Sequence, residues 1–249
     1  MPVPDENRYR AFLASPAPAR FLARAVSTND EAKAWARQGA PHGAAVLAAE
    51  QSGGRGRRGR GFFSPPGGLY LSVVLHPGAA SPGLLTTLAA VAALRAVRLA
   101  GGPELAIKWV NDLLYQGKKV GGILTEGVCA PDGEARAVVG IGLNLGPAAF
   151  PPELEGLAGT LFGAWPDAER EKTAALIVNG ILEGLPRVPE HLAEYRARCA
   201  TLGRRVAFQS EGREAQGRAE GVDGEGRLLV NDGRRLLTLM EGEAALLPE

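Results

Sequence analysis

A chain of 249 residues, 45% of them hydrophobic, is long enough to bury a full core, and a net charge of +1 excludes a generally basic, nucleic-acid-coating surface. The polar start Met1-Pro2-Val3-Pro4-Asp5-Glu6 lacks the apolar run of a signal peptide. The longest apolar stretch, Leu84 to Leu99, is broken by Thr86, Thr87, Arg95 and Arg98 and falls short of the ~20 residues a membrane span needs, so a cytoplasmic protein without membrane contact is expected.

In chain order, Ser27-Thr28-Asn29-Asp30-Glu31 has the pattern of a capping box followed by first-turn acids, and it predicts a helix running to Gln38 and stopped by Gly39. Ala44 to Ala49 reads as a short apolar strand and Leu69 to Leu75 as another, joined by the loop Gly54-Arg55-Gly56-Arg57-Arg58-Gly59-Arg60. Ser81-Pro82 opens a long buried helix that Gly101-Gly102 ends. Ile107 to Val110, Val120 to Thr125 and Ala137 to Leu143 predict three further strands, which makes the class mixed α/β. Glycine and proline dominate 146–167, and two helices follow, about Ala168 to Leu185 and about Pro189 to Ala200. After Gly203 the chain changes to short β runs at 205–208, 215–221, 228–230, 236–240 and 244–247, the texture of a small barrel or sandwich. The expected division is a domain over 1–202 and a second over 203–249. Cys129 and Cys199 lack the spacing of a zinc site and are expected to be inert.

The arginine loop is where the chemistry concentrates. Glycines let backbone approach a ligand closely, and each guanidinium stays charged and grips phosphate or carboxylate through two parallel donors. A solvated basic turn, or a strip that binds nucleic acid, fits the same residues. A dinucleotide fingerprint does not, because Phe62-Phe63-Ser64-Pro65-Pro66-Gly67-Gly68 cannot begin a regular helix, and the Gly-Lys of a P-loop is missing. A second cluster, Lys108-Trp109-Val110-Asn111-Asp112 with Lys118-Lys119-Val120-Gly121-Gly122-Ile123-Leu124 behind it, reads either as an exposed turn or as a site. Gly121-Gly122 inside an apolar run marks close approach of a ligand.

Taken together, Ser27-Thr28-Asn29, Gln51, the Gly54 to Arg60 loop with Phe62-Phe63-Ser64-Pro65, the Lys108 to Asp112 run, the Lys119 to Glu126 run and Gly140-Ile141-Gly142-Leu143-Asn144 resemble the biotin protein ligases in order and spacing, from about Ser27 into the last β segment. The resemblance implies a class II aminoacyl-tRNA synthetase-like catalytic domain, with a mixed β-sheet flanked by helices, and a small SH3-like C-terminal β-barrel. It implies that biotin and ATP, with Mg2+ accompanying the triphosphate, condense to biotinyl-5′-AMP, and that the acyl group then passes to one lysine of a biotin carboxyl carrier protein. By the same resemblance Arg55, Arg57 and Lys119 act on the reacting phosphate, with Gly54 and Gly56 in the substrate loop. Ser27, Thr28, Asn29 and Gln51 hold the biotin ureido group and its neighbourhood. Phe62, Lys108, Asn111, Gly121, Gly122 and Asn144 complete the substrate set. Asp112 is the candidate, on chemical grounds, to accept a proton from the incoming lysine, an amine of ordinary pKa about 10.4. Phe62 stands where the family often has tryptophan and Val110 where it often has proline. No dedicated metal ligands are expected. With 26 residues ahead of Ser27, too few for a winged helix, no operator-DNA binding is expected; the oligomeric state, a homodimer included, stays open. The nearest rival is a lipoate ligase of the same superfamily. Because the adenylate is a mixed anhydride open to hydrolysis, the arginine loop and the Cys129 to Glu134 turn are expected to close over it.

Overall fold

Along β3 (Leu69–Leu75), Leu69, Leu71, Val73 and Leu75 join the main core, whereas Val74 joins a second cluster and Ser72 hydrogen-bonds toward the first turn of α2 (Thr28–Ala36). This period of two decides which face of the sheet carries chemistry. The computed structural model describes residues 3–78, 80–163, 169–210, 213–240 and 244–247. Within them, β1 (Ala19–Leu22), β2 (Ala45–Ala48), β3, β4 (Ala106–Lys108), β5 (Asp112–Tyr115), β6 (Lys118–Cys129) and β7 (Ala135–Leu143) form one sheet in the order β1-β2-β3-β7-β6-β5-β4. β1 runs parallel to β2 and the other pairs are antiparallel, so the sheet is mixed, as expected.

Helices cover both faces. α3 (Pro82–Leu99), α4 (Glu169–Gly184) and α5 (Val188–Arg198) pack on the main core, while α2 packs Ala32 and Ala36 against Val46, Val74 and Val138 on the other side. α3 starts where Ser81 accepts the Leu84 N–H at 3.3 Å with Pro82 in the first turn. Its 18-residue window has mean hydropathy 1.3 and is 72% buried inside the protein, which makes it the core helix. Each of its fully buried leucines or valines contributes about 1.5–3 kcal/mol.

The C-terminal strands β8 (Arg205–Ser210), β9 (Arg213–Val222), β10 (Leu228–Asn231), β11 (Leu236–Leu239) and β12 (Ala244–Leu246) form an antiparallel sheet in the order β11-β10-β9-β8-β12. Val206, Phe208, Val222 and Leu228 belong to the main core cluster, so the second sheet is packed onto the first. Trp109 fastens it: its backbone N–H donates to Thr201 Oγ1 (2.9 Å) and its indole N–H to the Gly226 carbonyl (3.0 Å).

Several expectations need correction. The short α1 (Glu6–Ala11), β1 and β5 carry too little periodic signal for the sequence to announce them. The strand expected to reach Val110 ends at Lys108, because Trp109 turns away to the second sheet and the Val110 carbonyl accepts from the Tyr195 hydroxyl at 2.9 Å. The capping box does not form: Ser27 occupies the cap position without a side-chain cap bond, and Gln51 Oε1 takes the Thr28 N–H instead, at 2.8 Å. The turn after Cys129 lies five residues beyond Leu124, about 16 Å along an extended strand, and its residues do not line the cleft described below. The start expected for α4, Ala168, lies outside the described residues.

Candidate active site

The floor of the site is made by absent side chains. Gly140 and Gly142 alternate on the α2-side face of β7: a Cβ at Gly140 would strike the Asn29 amide, and one at Gly142 would strike the Phe62 ring. The two glycines let Asn29 and Phe62 lie directly on the sheet. Around them opens a cleft of about 570 Å³.

One end of the cleft is neutral and interlocked. Gln51 Oε1 accepts from the Thr28 N–H and hydroxyl (2.8 and 3.1 Å), while Gln51 Nε2 donates to Ser64 Oγ (2.9 Å). Ser72, fully buried in the middle of an apolar strand, donates to Asn29 Oδ1 (2.6 Å) and lies 2.8 Å from Thr28 Oγ1. Asn29 Nδ2 then donates to Glu126 Oε2 (2.8 Å), and Lys33 Nζ holds the other Glu126 oxygen at 2.6 Å. Ser27, Thr28 and Asn29 are all buried. Such a network fixes the orientation of every amide and hydroxyl before a ligand arrives.

The other end is cationic. Arg58 at φ 56° and Gly59 at φ 72° turn the arginine loop back on itself, so that the Gly56 N–H donates to the Arg60 carbonyl (2.7 Å) and the Phe62 N–H to the Gly54 carbonyl (2.8 Å). The loop thus leans into the cleft as a tight hairpin. Arg55 Nη2 reaches Asp30 Oδ2 at 2.8 Å, and Arg57 Nη1 donates to Asn111 Oδ1 at 3.2 Å. Asn111 is itself locked to β6, donating from Nδ2 to the Ile123 carbonyl (3.0 Å) and accepting the Ile123 N–H with its own carbonyl (3.0 Å).

Lys119 owes its place to a bulge. Leu114 pairs with Lys119 and Leu113 with Gly121, which leaves Val120 as an extra residue in β6. Without it, Lys119 would share the core-facing side with Gly121; with it, Lys119 lines the cleft beside Gly122, and Nζ lies 2.5 Å from Asp112 Oδ1. The Lys119 backbone is fixed as well, its N–H donating to the Leu157 carbonyl and its carbonyl accepting from the Gly159 N–H (both 2.9 Å).

Of the residues singled out from the sequence, Ser27, Thr28, Asn29, Gln51, Arg55, Gly56, Arg57, Phe62, Lys108, Asn111, Asp112, Lys119 and Gly122 line this one cleft. Gly54, Gly121 and Asn144 do not. Gly54 leaves room for Ser64 and Gln51, and Gly121 faces Leu143 on the core side. Asn144 works outside the cleft, its Nδ2 donating to the Gly159 carbonyl at 3.0 Å. The sequence reading missed Ser72, Lys33 and the roles of Gly140 and Gly142; a serine inside Leu69–Leu75 is the signal that could have exposed the first. It also missed Gln209, Glu214 and Ala245, which the second sheet contributes to the cleft wall and which nothing local in the sequence marks. Among the described residues no group of three or more His, Cys, Asp or Glu side chains is placed to hold a metal ion.

Fold and cleft together define a mixed α/β domain with one polar, cation-lined cleft and a small β appendage. Residues 21–144 match the Biotin/lipoate A/B protein ligase family and residues 201–247 the Biotin protein ligase C terminal domain. The biotin–[acetyl-CoA-carboxylase] ligase of Mycobacterium tuberculosis is 36% identical over 204 residues, covering 77% of this chain and 74% of that protein. The Paracoccus denitrificans enzyme of the same name is 47% identical over 129 residues, covering 50% of this chain and 53% of its own length. A structure of the biotin protein ligase from Aquifex aeolicus in complex with biotin and ATP superposes with a TM-score of 0.77 at 27% identity, covering 93% of this chain and 99% of that one. The chain belongs to the biotin protein ligase family. It spans about half the length of several curated relatives that it matches.

Proposed function

We propose that the protein joins biotin to ATP as biotinyl-5′-AMP and transfers the acyl group to one lysine of a biotin carboxyl carrier protein, the acceptor that the names of its relatives imply. The observation that carries this reading is the polarity of the cleft. A neutral end of fixed donors and acceptors suits an uncharged ureido ring, and it adjoins a cationic end suited to a polyphosphate.

In the first step a biotin carboxylate oxygen bonds to the α-phosphorus of ATP while the bond from that phosphorus to the bridging oxygen breaks, and pyrophosphate leaves with the electron pair. Both reactants are anions. Arg55, Arg57 and Lys119 offset their repulsion and the charge that accumulates on the phosphoryl oxygens. In the second step a deprotonated lysine Nζ attacks the acyl carbon, the C–N bond forms, the bond from carbon to the phosphate oxygen breaks, and AMP leaves. Two protons are released from nitrogen in all, and Asp112 is the side chain assigned to receive one of them. Lys119 Nζ, 2.5 Å from Asp112 Oδ1, holds that carboxylate at the edge of the cleft. Mg2+ enters with the triphosphate as part of the substrate. A cytoplasmic setting, the division near residue 202 and the absence of an operator-DNA role belong to the same reading.

The test is biotin-dependent exchange of labelled pyrophosphate into ATP, followed by the mass gain of one biotin on a carrier domain. Exchange with biotin and none with lipoate is the expected result. Lack of exchange with biotin, or equal exchange with lipoate, would overturn the reading.

A further inference from the structure

Arg55, Arg57, Arg58, Arg60, Lys108 and Lys119 line the cleft, against two carboxylates, Asp112 and Glu214. That balance suits a first step between two anions. It opposes the second step, because the arriving lysine is a cation, with an ordinary pKa of about 10.4. Asp112 already has its counter-charge 2.5 Å away in Lys119. Glu214 is different: it is exposed near the start of β9, opposite Gln209 of β8, and has no ion-pair partner among the described residues. The wall that carries it is paired strand to strand, Ala207 with Gln216, Phe208 with Ala215 and Gln209 with Glu214, and β8 sends Val206 and Phe208 into the main core.

The geometry points to Glu214 as the docking carboxylate for the acceptor lysine, a role that rests on the ligase reading above. On the second-sheet wall it meets the carrier's ammonium as the side chain enters a cleft whose net positive charge repels it. The C-terminal sheet thereby contributes to the transfer step and to acceptor selectivity, and not to adenylate formation. Charges at such a rim act mainly on the rate of encounter and on its salt dependence.

The test uses the full chain with Glu214→Gln. Adenylate is formed from biotin and ATP and then chased either with the biotin-accepting domain of an acetyl-CoA carboxylase or with hydroxylamine, a nucleophile uncharged at neutral pH. The carrier reaction is expected to lose about tenfold more in kcat/KM than the hydroxylamine reaction, with a flatter dependence on salt, and Glu214→Asp is expected to recover most of the loss. Equal losses with both nucleophiles would overturn the proposal, as would a raised KM for ATP with transfer unchanged, which would place Glu214 on the nucleotide. Unchanged transfer at every salt concentration would overturn it too. Should the unaltered protein form no adenylate at all, the ligase reading falls with it, a result distinct from each of these.

Discussion

The two ends of the cleft are held in opposite ways. At the neutral end Thr28, Asn29, Gln51, Ser64 and Ser72 bond one another, and their atoms are buried or nearly so. At the cationic end Arg55 is 54% exposed and Lys119 41%, and each is tethered by an ion pair that solvent screens. On the proposed reading, a ring that only needs recognising meets a rigid surface, whereas a phosphate that must be gripped and released meets arms able to exchange partners. Changes at the cationic end should therefore act on the rate of adenylation, and changes at the neutral end on biotin affinity and on stability.

The largest expected effect sharpens this contrast. Arg57→Ala or Lys119→Ala should lower biotin-dependent pyrophosphate exchange by about 10²–10³-fold while leaving the melting temperature close to that of the unaltered chain. A loss of that size at Ser72 and none at Lys119 would invert the comparison. Next comes Gly140→Val, which drives a side chain into Asn29 and should cost about 1–3 kcal/mol of stability in denaturant titration, together with a weaker affinity for biotin by calorimetry.

Ser72→Ala removes the donor to Asn29 Oδ1 and should cost about 1–3 kcal/mol, with KM for biotin rising more than kcat falls. A smaller, pH-dependent effect belongs to the turn that Trp109 grips. Burial pushes the Asp223 carboxyl upward, but hydrogen bonds from the Arg227 backbone and side chain and from the Glu225 N–H outweigh it and hold the group below the ordinary carboxylate range. A lowered folded-state pKa contributes stability above the unfolded value of about 3.9 that is lost as pH falls through the folded one. Asp223→Asn should therefore cost about 1 kcal/mol at pH 7 and progressively less below pH ~4, measured by thermal unfolding across that range. The smallest effect is expected at Arg213, exposed on β9, where alanine should change stability by less than about 0.5 kcal/mol and leave pyrophosphate exchange untouched.

Much of the fold was legible because its signals are local. β3 reads from an unbroken apolar run, α3 from Ser81-Pro82 at one end and Gly101-Gly102 at the other, and the change after Gly203 from short alternating segments. The candidate site was legible as a set of runs, but their assembly was not. Lys119 reaches the cleft only because one extra residue in β6 shifts its face, and the bulge is a property of pairing with β5, a strand that the sequence did not reveal. Gln51, and not Ser27, caps α2, since a residue 23 positions from Thr28 supplies the acceptor that the local pattern predicts at Ser27. Glu214 lies 95 residues beyond Lys119, on a sheet that reaches the cleft by sending Val206 and Phe208 into the main core. Distant partners of this kind leave no periodic trace.

The account depends on one spatial assignment, tested most directly by a crystal structure with biotin and a non-hydrolysable ATP analogue bound. The expected result has the ureido ring within hydrogen-bonding distance of the Thr28–Gln51–Asn29 network and the α-phosphate between Arg57 and Lys119. Ligands seated instead in the separate groove beside Phe150 and Glu155, or the triphosphate out of reach of both cations, would contradict it.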